Sequence, residues 1–442
     1  MLVRRAVCHA DLVPVMRIAG KSADFACPAN VESTHQACRG HCFQTHPISM
    51  DKERPRAAAA ARVGTSKLPG VGTTIFTVIS ALAHEHGAVN LGQGFPDFDC
   101  DPQLQQRYAQ AVATGHNQYA PMAGVAALRN AIAAKVAAAS GHRYDADTEI
   151  TVTAGATQAI MTTILALVSP GDEVIVLEPV YDSYVPSIVL AGGAPVPIPL
   201  DHARGYAPDW ERIRAAVTAR TRMLLLNFPH NPTGRTLRRE DVRALEELVA
   251  ATGILVLSDE VYEHIVFDGV PHRSIAASPA LAENAVVISS FGKTFHTTGW
   301  KIGYACAPAR LSAEIRKVHQ FMVFAVNTPA QHALAAHLQD PAPYVQLPAF
   351  YQAKRDLFCA GLRASRFEVL PCEGTYFVLA RYGAISDATE AEFVRTLVTR
   401  HGVAAIPIAG LYVRPFEAQV VRFCFAKKDE TLHAALERLV RA

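Results

Sequence analysis

The chain has 442 residues, of which 50% are hydrophobic and 19% are charged, and its formal net charge is +2. This length favours two domains, or one large domain with a smaller one attached, and the apolar content is sufficient for a buried core. The near-neutral charge argues against a nucleic-acid-binding protein, which needs a basic face, and no apolar run approaches the roughly 18 to 20 residues that cross a bilayer.

The first part of the chain, residues 1–61, is predicted to be a disordered N-terminal extension. Its opening segment, "MLVRRAVCHADLVPVMRIAG", is interrupted by charged residues and a proline, so it lacks the apolar stretch of a secretory signal. We hypothesise that Met50 is the true start of the protein. A chain without residues 1–49 should then fold and act normally.

The chain contains nine cysteines, of which four fall in the first fifty residues and the other five are scattered and mostly in apolar contexts. This pattern favours buried free thiols in a reducing compartment over a disulfide framework, and we expect a cytoplasmic protein. One cluster, "CRGHCFQTH", offers four potential zinc ligands, but their spacing matches no common zinc motif and no metal site is predicted. These four residues are Cys38, His41, Cys42 and His46.

From about residue 150, short apolar runs alternate with helical patterns such as "ATQAIMTTILALV". Runs that are continuously apolar and rich in Val, Ile and Leu are typical of a mostly parallel sheet with helices on both faces. The sequence therefore predicts an α/β fold with a doubly wound sheet. The strand-like runs are "EITVTAG", "DEVIVLEP", "RMLLLNFP", "GILVLSDE", "NAVVISSFG" and "IGYACAP".

Polar or small residues follow four of these predicted strands, at Gly155, Asn227–Asn231, Asp259 and Ser289–Lys293. Open parallel sheets bind ligands beyond the C-terminal ends of their strands, so these four neighbouring ends predict one crevice with many polar groups.

The pattern changes near residue 330, where "FEVLPCEGTYFVLA" and "VVRFCFAKK" indicate a separate α+β domain that closes over the crevice. We predict three parts after the extension. Residues 62–100 form an N-terminal segment of the small domain, residues 101–328 form the large domain, and residues 329–442 form the rest of the small domain.

The segment "SSFGKTFHTTGWKIGY" contains two lysines, Lys293 and Lys301, and its GKT is similar to the end of a nucleotide-binding loop. A P-loop needs a glycine five positions before Gly292, where this chain has Val287. The segment "LGQGFPDF" does not match a dinucleotide-binding fingerprint either. Asp97 stands where that fingerprint requires a glycine. The sequence therefore does not support a nucleotide site.

The residues fit a pyridoxal phosphate site better than a nucleotide site. Such an enzyme needs a lysine for a Schiff base, an acid at the pyridine nitrogen, donors to the phenolate oxygen, a phosphate cup and an anchor for the substrate carboxylate. The chain has a candidate for each of these roles. They are Lys293, Asp259, Tyr262 with Asn231, the helix start at "AGATQA", and Arg422.

On these motifs the sequence resembles a class I aminotransferase of the fold-type I pyridoxal-phosphate-dependent family. Within that class it closely resembles the bacterial methionine aminotransferases and the related kynurenine/glutamine transaminases. The resemblance runs from about residue 66 to residue 442. The motifs include, in order, "NLGQGFPDF", "NQYAPMAGV", "TVTAGATQA", "YDSYVP", "PHNPTG", "SDEVYEH", "SSFGKTFHTTGWKIGY", "PCEGTYF" and "RFCFAKK".

The resemblance implies that Lys293 forms the Schiff base and then moves the proton of the substrate. It further implies that Asp259 pairs with the pyridine nitrogen and that Arg422 binds the substrate carboxylate with help from Gly94 and Asn231. The implied contacts of the cofactor ring and phosphate come from Tyr262, Asn231, Tyr181, Ser290, Gly155, Ala156, Thr157 and Lys301.

Five of these residues also have a purely structural interpretation. Asp259 could cap a helix, Asn231 could form an ordinary Asn-Pro turn, Ala156 and Thr157 could belong to a simple helix cap, and Tyr181 could be a core aromatic residue.

The resemblance also implies a homodimer, in which Tyr119 reaches the cofactor phosphate of the neighbouring subunit. The implied reaction is a ping-pong transamination between an amino acid and a 2-oxo acid. Methionine is the favoured donor, with aromatic amino acids and histidine as further candidates. We expect no nucleic-acid or membrane partner. The role of Thr297, where relatives frequently have Met, stays open.

Two alternatives remain for the matched residues, besides the hypothesis that the Cys/His-rich leader is a metal or redox module, which metal analysis would test. The first is a kynurenine/glutamine-type transaminase or a cysteine-S-conjugate β-lyase on the same scaffold. The second is a non-catalytic effector-binding domain of a regulator, but the residues before the match are too few and too irregular for a DNA-binding domain.

Overall fold

The computed structural model of the protein describes residues 64–442. The predicted extension, the proposed start at Met50 and the four potential zinc ligands lie outside the described residues.

The strands of the described part are β1 (Val89–Asn90), β2 (Ile150–Thr153), β3 (Glu173–Glu178), β4 (Ala194–Pro199), β5 (Thr221–Asn227), β6 (Leu255–Asp259), β7 (Ala285–Ser290), β8 (Gly303–Cys306), β9 (Glu368–Val369), β10 (Phe377–Arg381), β11 (Val403–Ala404), β12 (Ile406–Pro407) and β13 (Val420–Cys424).

The helices are α1 (Ile75–Glu85), α2 (Pro102–Ala113), α3 (Ala126–Ser140), α4 (Gly155–Leu167), α5 (Tyr184–Leu190), α6 (Trp210–Ala215), α7 (Arg239–Thr252), α8 (Pro279–Ala282), α9 (Phe291–Thr294), α10 (Ala309–Met322), α11 (Thr328–His337), α12 (Ala342–Val345), α13 (Leu347–Arg363), α14 (Glu390–His401) and α15 (Asp429–Leu439).

Seven strands form the main sheet in the order β2-β8-β7-β6-β5-β3-β4. The strands run parallel except for β8, which is antiparallel to both of its neighbours. The predicted mostly parallel sheet is confirmed. Of the four strand ends predicted to be neighbours, those of β5, β6 and β7 are adjacent. The end of β2 is separated from that of β7 by β8.

The continuous apolar runs follow from burial on both faces of this sheet. In β3, Val174 and Val176 pack into one core cluster, whereas Ile175 and Leu177 pack into the other. Successive side chains of a strand point to opposite faces, so a sheet covered by helices on both sides needs apolar residues at every position.

The parallel direction brings the C-terminal ends of β2, β5, β6 and β7 to one edge of the sheet. Strand β8 begins at this edge with Gly303, where an added Cβ would lie 2.8 Å from the backbone of Gly155 and 2.9 Å from that of Ser289. Only glycine fits this approach, and the starts of α4 and β8 are thereby held together.

A second sheet has four antiparallel strands in the order β12-β13-β10-β9. The inner strand β13 carries Arg422, which is paired with Leu379 of β10 and with Ile406 of β12. Strand β1 pairs with β11 in parallel, so the segment from residue 89 lies beside the C-terminal part of the chain. The proposed domain boundaries at residues 100 and 328 stay predictions.

Five cysteines lie in the described part, and all are free thiols. Four of them are buried, namely Cys306, Cys359, Cys372 and Cys424, and Cys100 is partly exposed. In the range 64–442, no helix combines the length and the apolar character needed to cross a membrane.

Candidate active site

A cavity of about 310 Å³ lies at the C-terminal edge of the main sheet. The structure brings together in its wall all but one of the residues that the sequence predicts for the site. These are Gly94, Gly155, Ala156, Thr157, Tyr181, Asn231, Asp259, Tyr262, Ser290, Lys293, Lys301 and Arg422.

Lys293 lies on the short helix α9, directly after β7. Its Nζ donates hydrogen bonds to the carbonyl oxygen of Gly94 at 3.1 Å and to the hydroxyl of Tyr376 at 2.8 Å. Burial lowers the pKa of Lys293 to about 8. The amine therefore has a neutral, nucleophilic fraction near neutral pH, as a Schiff-base lysine or a general base requires.

Asp259 is the last residue of β6 and is 4% exposed. Its Oδ2 accepts a hydrogen bond of 2.6 Å from the hydroxyl of Tyr184, and its Oδ1 accepts one of 3.3 Å from the backbone N–H of Val261. Burial raises the pKa of Asp259 to about 6, and the hydrogen bond from Tyr184 opposes this rise. At neutral pH the carboxylate is mostly ionised, so it can stabilise a protonated ring nitrogen.

The ends of β5 and β6 are linked by side-chain hydrogen bonds to the backbone. Asn227 donates from Nδ2 to the carbonyl oxygen of Asp259 at 3.0 Å, and its Oδ1 accepts from the backbone N–H of Asn231 at 3.0 Å. Tyr262 is 3% exposed, and burial raises the pKa of its phenol, which therefore stays a hydrogen-bond donor. These contacts hold Asn231 and Asp259 in fixed relative positions.

Arg422 is 1% exposed. Its Nη1 donates to Oδ1 of Asn231 at 2.8 Å, its Nη2 donates to the carbonyl oxygen of Gly92 at 2.8 Å, and the guanidinium stacks over the ring of Phe377 at 3.9 Å. Within residues 64–442 it has no carboxylate ion pair, and its Nε has no hydrogen-bond partner. A buried cation without a counter-ion at a cavity wall fits an anionic ligand.

The part of the cavity wall at the start of α4 suits a phosphate. Gly155 begins α4 with φ of +76°, and Nζ of Lys301 lies 3.3 Å from the position of an added Cβ there. The free N–H groups of a helix start and a nearby lysine attract a phosphate. The residues therefore fit pyridoxal phosphate, with a lysine, an ionisable carboxylate and a phosphate cup around one cavity.

Tyr119 is the predicted residue that lies outside the cavity. Its side chain is 83% exposed and packs edge-on against Phe324, with ring centroids 5.3 Å apart. Thr297 does not line the cavity either. It is 4% exposed, and its hydroxyl donates to the carbonyl oxygen of Phe291 at 3.4 Å, so it stabilises the turn after α9.

Sequence reasoning missed Tyr184 and Tyr376, which contact Asp259 and Lys293 respectively. Tyr184 begins α5, whereas Tyr181 precedes this helix, so no helical spacing relates the two residues and no pattern marks the contact of Tyr184 with Asp259. Tyr376 belongs to "EGTYF", a motif that supports the family resemblance but carries no residue-level signal for a contact with Lys293.

Residues 86–439 match the family model described as aminotransferase class I and II. The chain therefore belongs to this family. It is an aminotransferase, and its cofactor is pyridoxal 5′-phosphate, as the motifs predicted.

The relatives of the chain agree with this assignment. The methionine aminotransferase of Escherichia coli (strain K12) is 54% identical over 375 residues, covering 85% of this chain and 97% of the relative. The probable N-succinyldiaminopimelate aminotransferase DapC of Mycobacterium tuberculosis is 43% identical over 386 residues, covering 85% and 97%. A solved structure of YbdL from Escherichia coli, identified as a methionine aminotransferase, has a TM-score of 0.84 at 53% identity, covering 86% of this chain and 100% of YbdL. The predicted fold class is confirmed.

Proposed function

We propose that this aminotransferase takes the amino group of methionine and passes it to a 2-oxo acid. The relative that is 54% identical is a methionine aminotransferase, which supports this donor. Aromatic amino acids and histidine are further candidate donors. A kynurenine/glutamine-type transaminase or a cysteine-S-conjugate β-lyase is the alternative on the same scaffold.

The observation that carries the proposal is the placement of Arg422, Lys293 and Asp259 around one cavity. The buried guanidinium is suited to an α-carboxylate, since its planar fork can form two parallel hydrogen bonds to one. Phe76 and Phe377 flank it, with the guanidinium 5.1 Å and 3.9 Å from their rings. These apolar neighbours favour a donor with an apolar side chain over an acidic one.

The residues of the chain then divide the work. Arg422 orients the amino acid so that its Cα hydrogen faces Lys293, and Lys293 takes up this proton and later returns it. When bound, the cofactor withdraws electrons from the Cα–H bond, which makes that proton removable. Asp259 would hold the ring nitrogen in its protonated form, and Asn231 and Tyr262 would donate hydrogen bonds to the phenolate oxygen.

The start of α4, with Gly155, Ala156 and Thr157, would hold the phosphate together with Ser290 and Lys301. Tyr181 would contact the cofactor ring. We further propose a cytoplasmic homodimer, in which the exposed Tyr119 completes the phosphate site of the partner. Its exposure of 83%, outside its own cavity, supports this part of the proposal.

The Lys293→Ala variant tests the site. We expect turnover to fall by about 10²–10⁴-fold or more, because the general base is removed, while cofactor stays bound. The matched control is Lys317→Ala, since Lys317 is exposed and, among the described residues, pairs only with Glu314. A Lys293→Ala enzyme with the activity of the control would overturn the assignment.

A panel of amino acids with one fixed 2-oxo acid tests the donor. We expect methionine to give the highest kcat/KM, ahead of aromatic amino acids, histidine and N-succinyldiaminopimelate. Omission of the 2-oxo acid separates the alternative reaction, because a β-lyase needs no acceptor. Sustained keto-acid release without an acceptor would contradict transamination as the main activity.

A further inference from the structure

The hydroxyl of Tyr376 lies next to the amine of Lys293 and has no role assigned above. Tyr376 is 0% exposed and directly precedes β10. Its hydroxyl accepts a hydrogen bond of 2.8 Å from Lys293 Nζ and donates one of 2.5 Å to the carbonyl oxygen of Gly94. Lys293 Nζ also donates to that carbonyl oxygen at 3.1 Å. The three groups form a closed triangle of hydrogen bonds.

We propose that Tyr376 and the Gly94 carbonyl are a holding site for the free amine of Lys293. The site acts in the part of the cycle in which the lysine is not bonded to the cofactor and must remain beside the substrate. Tyr376 is a positioning residue, because it acts through Lys293. The inference rests on the proposed role of Lys293 as the proton-transferring base.

The number of available protons defines the direction of these hydrogen bonds. A phenol has one proton and two lone pairs, and a backbone carbonyl can only accept. Burial raises the pKa of Tyr376 well above its ordinary value, so the phenol keeps its proton and donates it to Gly94. The lone pairs of the phenol oxygen then face Lys293, and they stabilise the amine most when it carries its third proton.

The ring of Tyr376 is fixed by packing, which a positioning role requires. Its centroid lies 5.2 Å from that of Tyr262, 5.7 Å from that of Tyr351 and 4.8 Å from that of Phe377. A hydroxyl on a ring held on several sides stays at one place, and a holding site needs such preorganisation.

Several titratable groups from different elements face the amine of Lys293. Burial is the largest influence on its pKa, followed by charges of both signs. Their effects persist when only the Tyr376 hydroxyl is removed, so a change in the variant reports that hydroxyl. Besides Tyr376 itself, the groups are Asp259 at the end of β6, Tyr262 after it, Lys301 before β8, and Arg422 and Cys424 on β13.

The experiment compares Tyr376→Phe with Tyr351→Phe. Tyr351 is also 0% exposed and touches the ring of Tyr376, but its hydroxyl has no hydrogen-bond partner among the described residues. In the cofactor-free full chain, acylation of Lys293 by acetic anhydride is followed by mass spectrometry as a function of pH. Only the neutral amine reacts, so the midpoint of the curve reports the pKa of Lys293.

We expect the wild-type midpoint near pH 8, where burial brings the pKa of Lys293. Loss of the acceptor destabilises the charged amine, so the midpoint of Tyr376→Phe should fall by about one pH unit. The midpoint of Tyr351→Phe should equal that of the wild type. In the holoenzyme, Tyr376→Phe should lower kcat about tenfold with little change in the donor KM, because the base is less well placed.

An unchanged midpoint in Tyr376→Phe, or an equal shift in both variants, would overturn the inference, since packing alone would then explain the data. Failure of the proposed function looks different. In that case Lys293→Ala is active, whatever the behaviour of Tyr376→Phe. An inactive Lys293→Ala together with a silent Tyr376→Phe refutes the holding site alone.

Discussion

At the scale of single residues, Arg422 is paired within residues 64–442 only with neutral oxygens, those of Asn231 and Gly92, and stacks on Phe377. Burial lowers the pKa of Arg422, but a guanidinium keeps its charge throughout the ordinary pH range. Its unsatisfied charge makes a carboxylate ligand more favourable than it would be at the surface. The planar shape of the group also matters, because a lysine offers a point charge without the fork.

The Arg422→Lys variant should therefore bind the donor poorly. We expect the donor KM to rise by about 10–100-fold, while the absorbance of bound cofactor is unchanged. Arg316→Lys is the matched control, since Arg316 is partly buried and hydrogen-bonds to the carbonyl oxygens of Asp147 and Ile150 away from the cavity. Release of cofactor from Arg422→Lys, with normal donor binding, would show that the carboxylate role is wrong.

The contact between Tyr184 and Asp259 makes a pH-dependent prediction. Burial raises the pKa of Asp259 to about 6, and the hydrogen bond from Tyr184 holds it below the value that burial alone would produce. Under the proposed role of Asp259 at the ring nitrogen, activity needs the ionised carboxylate and is lost as pH falls through this pKa. In Tyr184→Phe the pKa of Asp259 rises further, and the acid limb of the kcat/KM profile should move to higher pH.

Tyr144→Phe provides the comparison for this profile. Tyr144 is 2% exposed, and its hydroxyl has no hydrogen-bond partner in the described part of the chain. The acid limb of the kcat/KM profile of Tyr144→Phe should coincide with that of the wild type. An acid limb at the wild-type pH in Tyr184→Phe would mean that the Tyr184 hydroxyl does not stabilise the charged form of Asp259.

At the scale of elements, much of the site follows from where the apolar runs of the sequence end. Asp259 and Asn231 were predictable because parallel strands bring their C-terminal ends to one edge. The antiparallel direction of β8 was not predictable, because an antiparallel strand buried on both faces has the same apolar pattern as a parallel one. Tyr376 could not be placed beside Lys293, since contacts across 83 positions leave no local periodicity.

Helix α3 is connected to the loop after β6 by a buried ion pair. Lys135 Nζ lies 2.8 Å from Oε1 of Glu263, and their side chains are 2% and 10% exposed. The hydroxyls of Ser289 and Tyr304 donate to the same oxygen at 2.5 Å and 3.2 Å. Burial acts to raise the pKa of Glu263, but Lys135 and these hydrogen bonds outweigh it and lower the pKa. Glu263 directly follows Tyr262, so the pair holds one wall of the cavity.

Removal of one partner should be costly for folding. We expect Lys135→Met to lower the free energy of unfolding by about 3–5 kcal/mol in urea at pH 7, because the Glu263 carboxylate is left buried without a counter-ion. Lys317→Met removes an exposed partner of Glu314, whose side chain is 49% exposed, and should cost less than about 1 kcal/mol. Equal stability of Lys135→Met and Lys317→Met would contradict a stabilising role of the ion pair between Lys135 and Glu263.

The same ion pair has a defined pH window. The folded-state pKa of Glu263 is depressed, so its contribution to stability is complete above the ordinary pKa of a glutamate. The contribution is lost as pH falls below that value towards the folded-state pKa. The difference in stability between wild type and Lys135→Met should therefore shrink in acid.

At the scale of the whole molecule, Tyr119 is the predicted cofactor residue that the chain does not bring to its own cavity. It lies 83% exposed beside Phe324, which is 46% exposed although large and apolar. In a two-fold symmetric dimer each chain can supply this tyrosine to the other, so every complete site would draw on two chains. The site would then be built from Lys293 of one subunit and Tyr119 of its partner.

Hybrid dimers distinguish this arrangement from a site made by one chain. Lys293→Ala homodimers should be inactive, and Tyr119→Ala homodimers should bind cofactor weakly. After the two variants exchange subunits, each hybrid has one site with both substitutions and one site with neither. We expect an equal mixture to recover up to about a quarter of wild-type activity, because half the dimers are hybrid and half of their sites are intact. If each chain built its own site, both sites of every hybrid dimer would carry one substitution. The activity of the mixture would then equal the mean of the activities of the two variants.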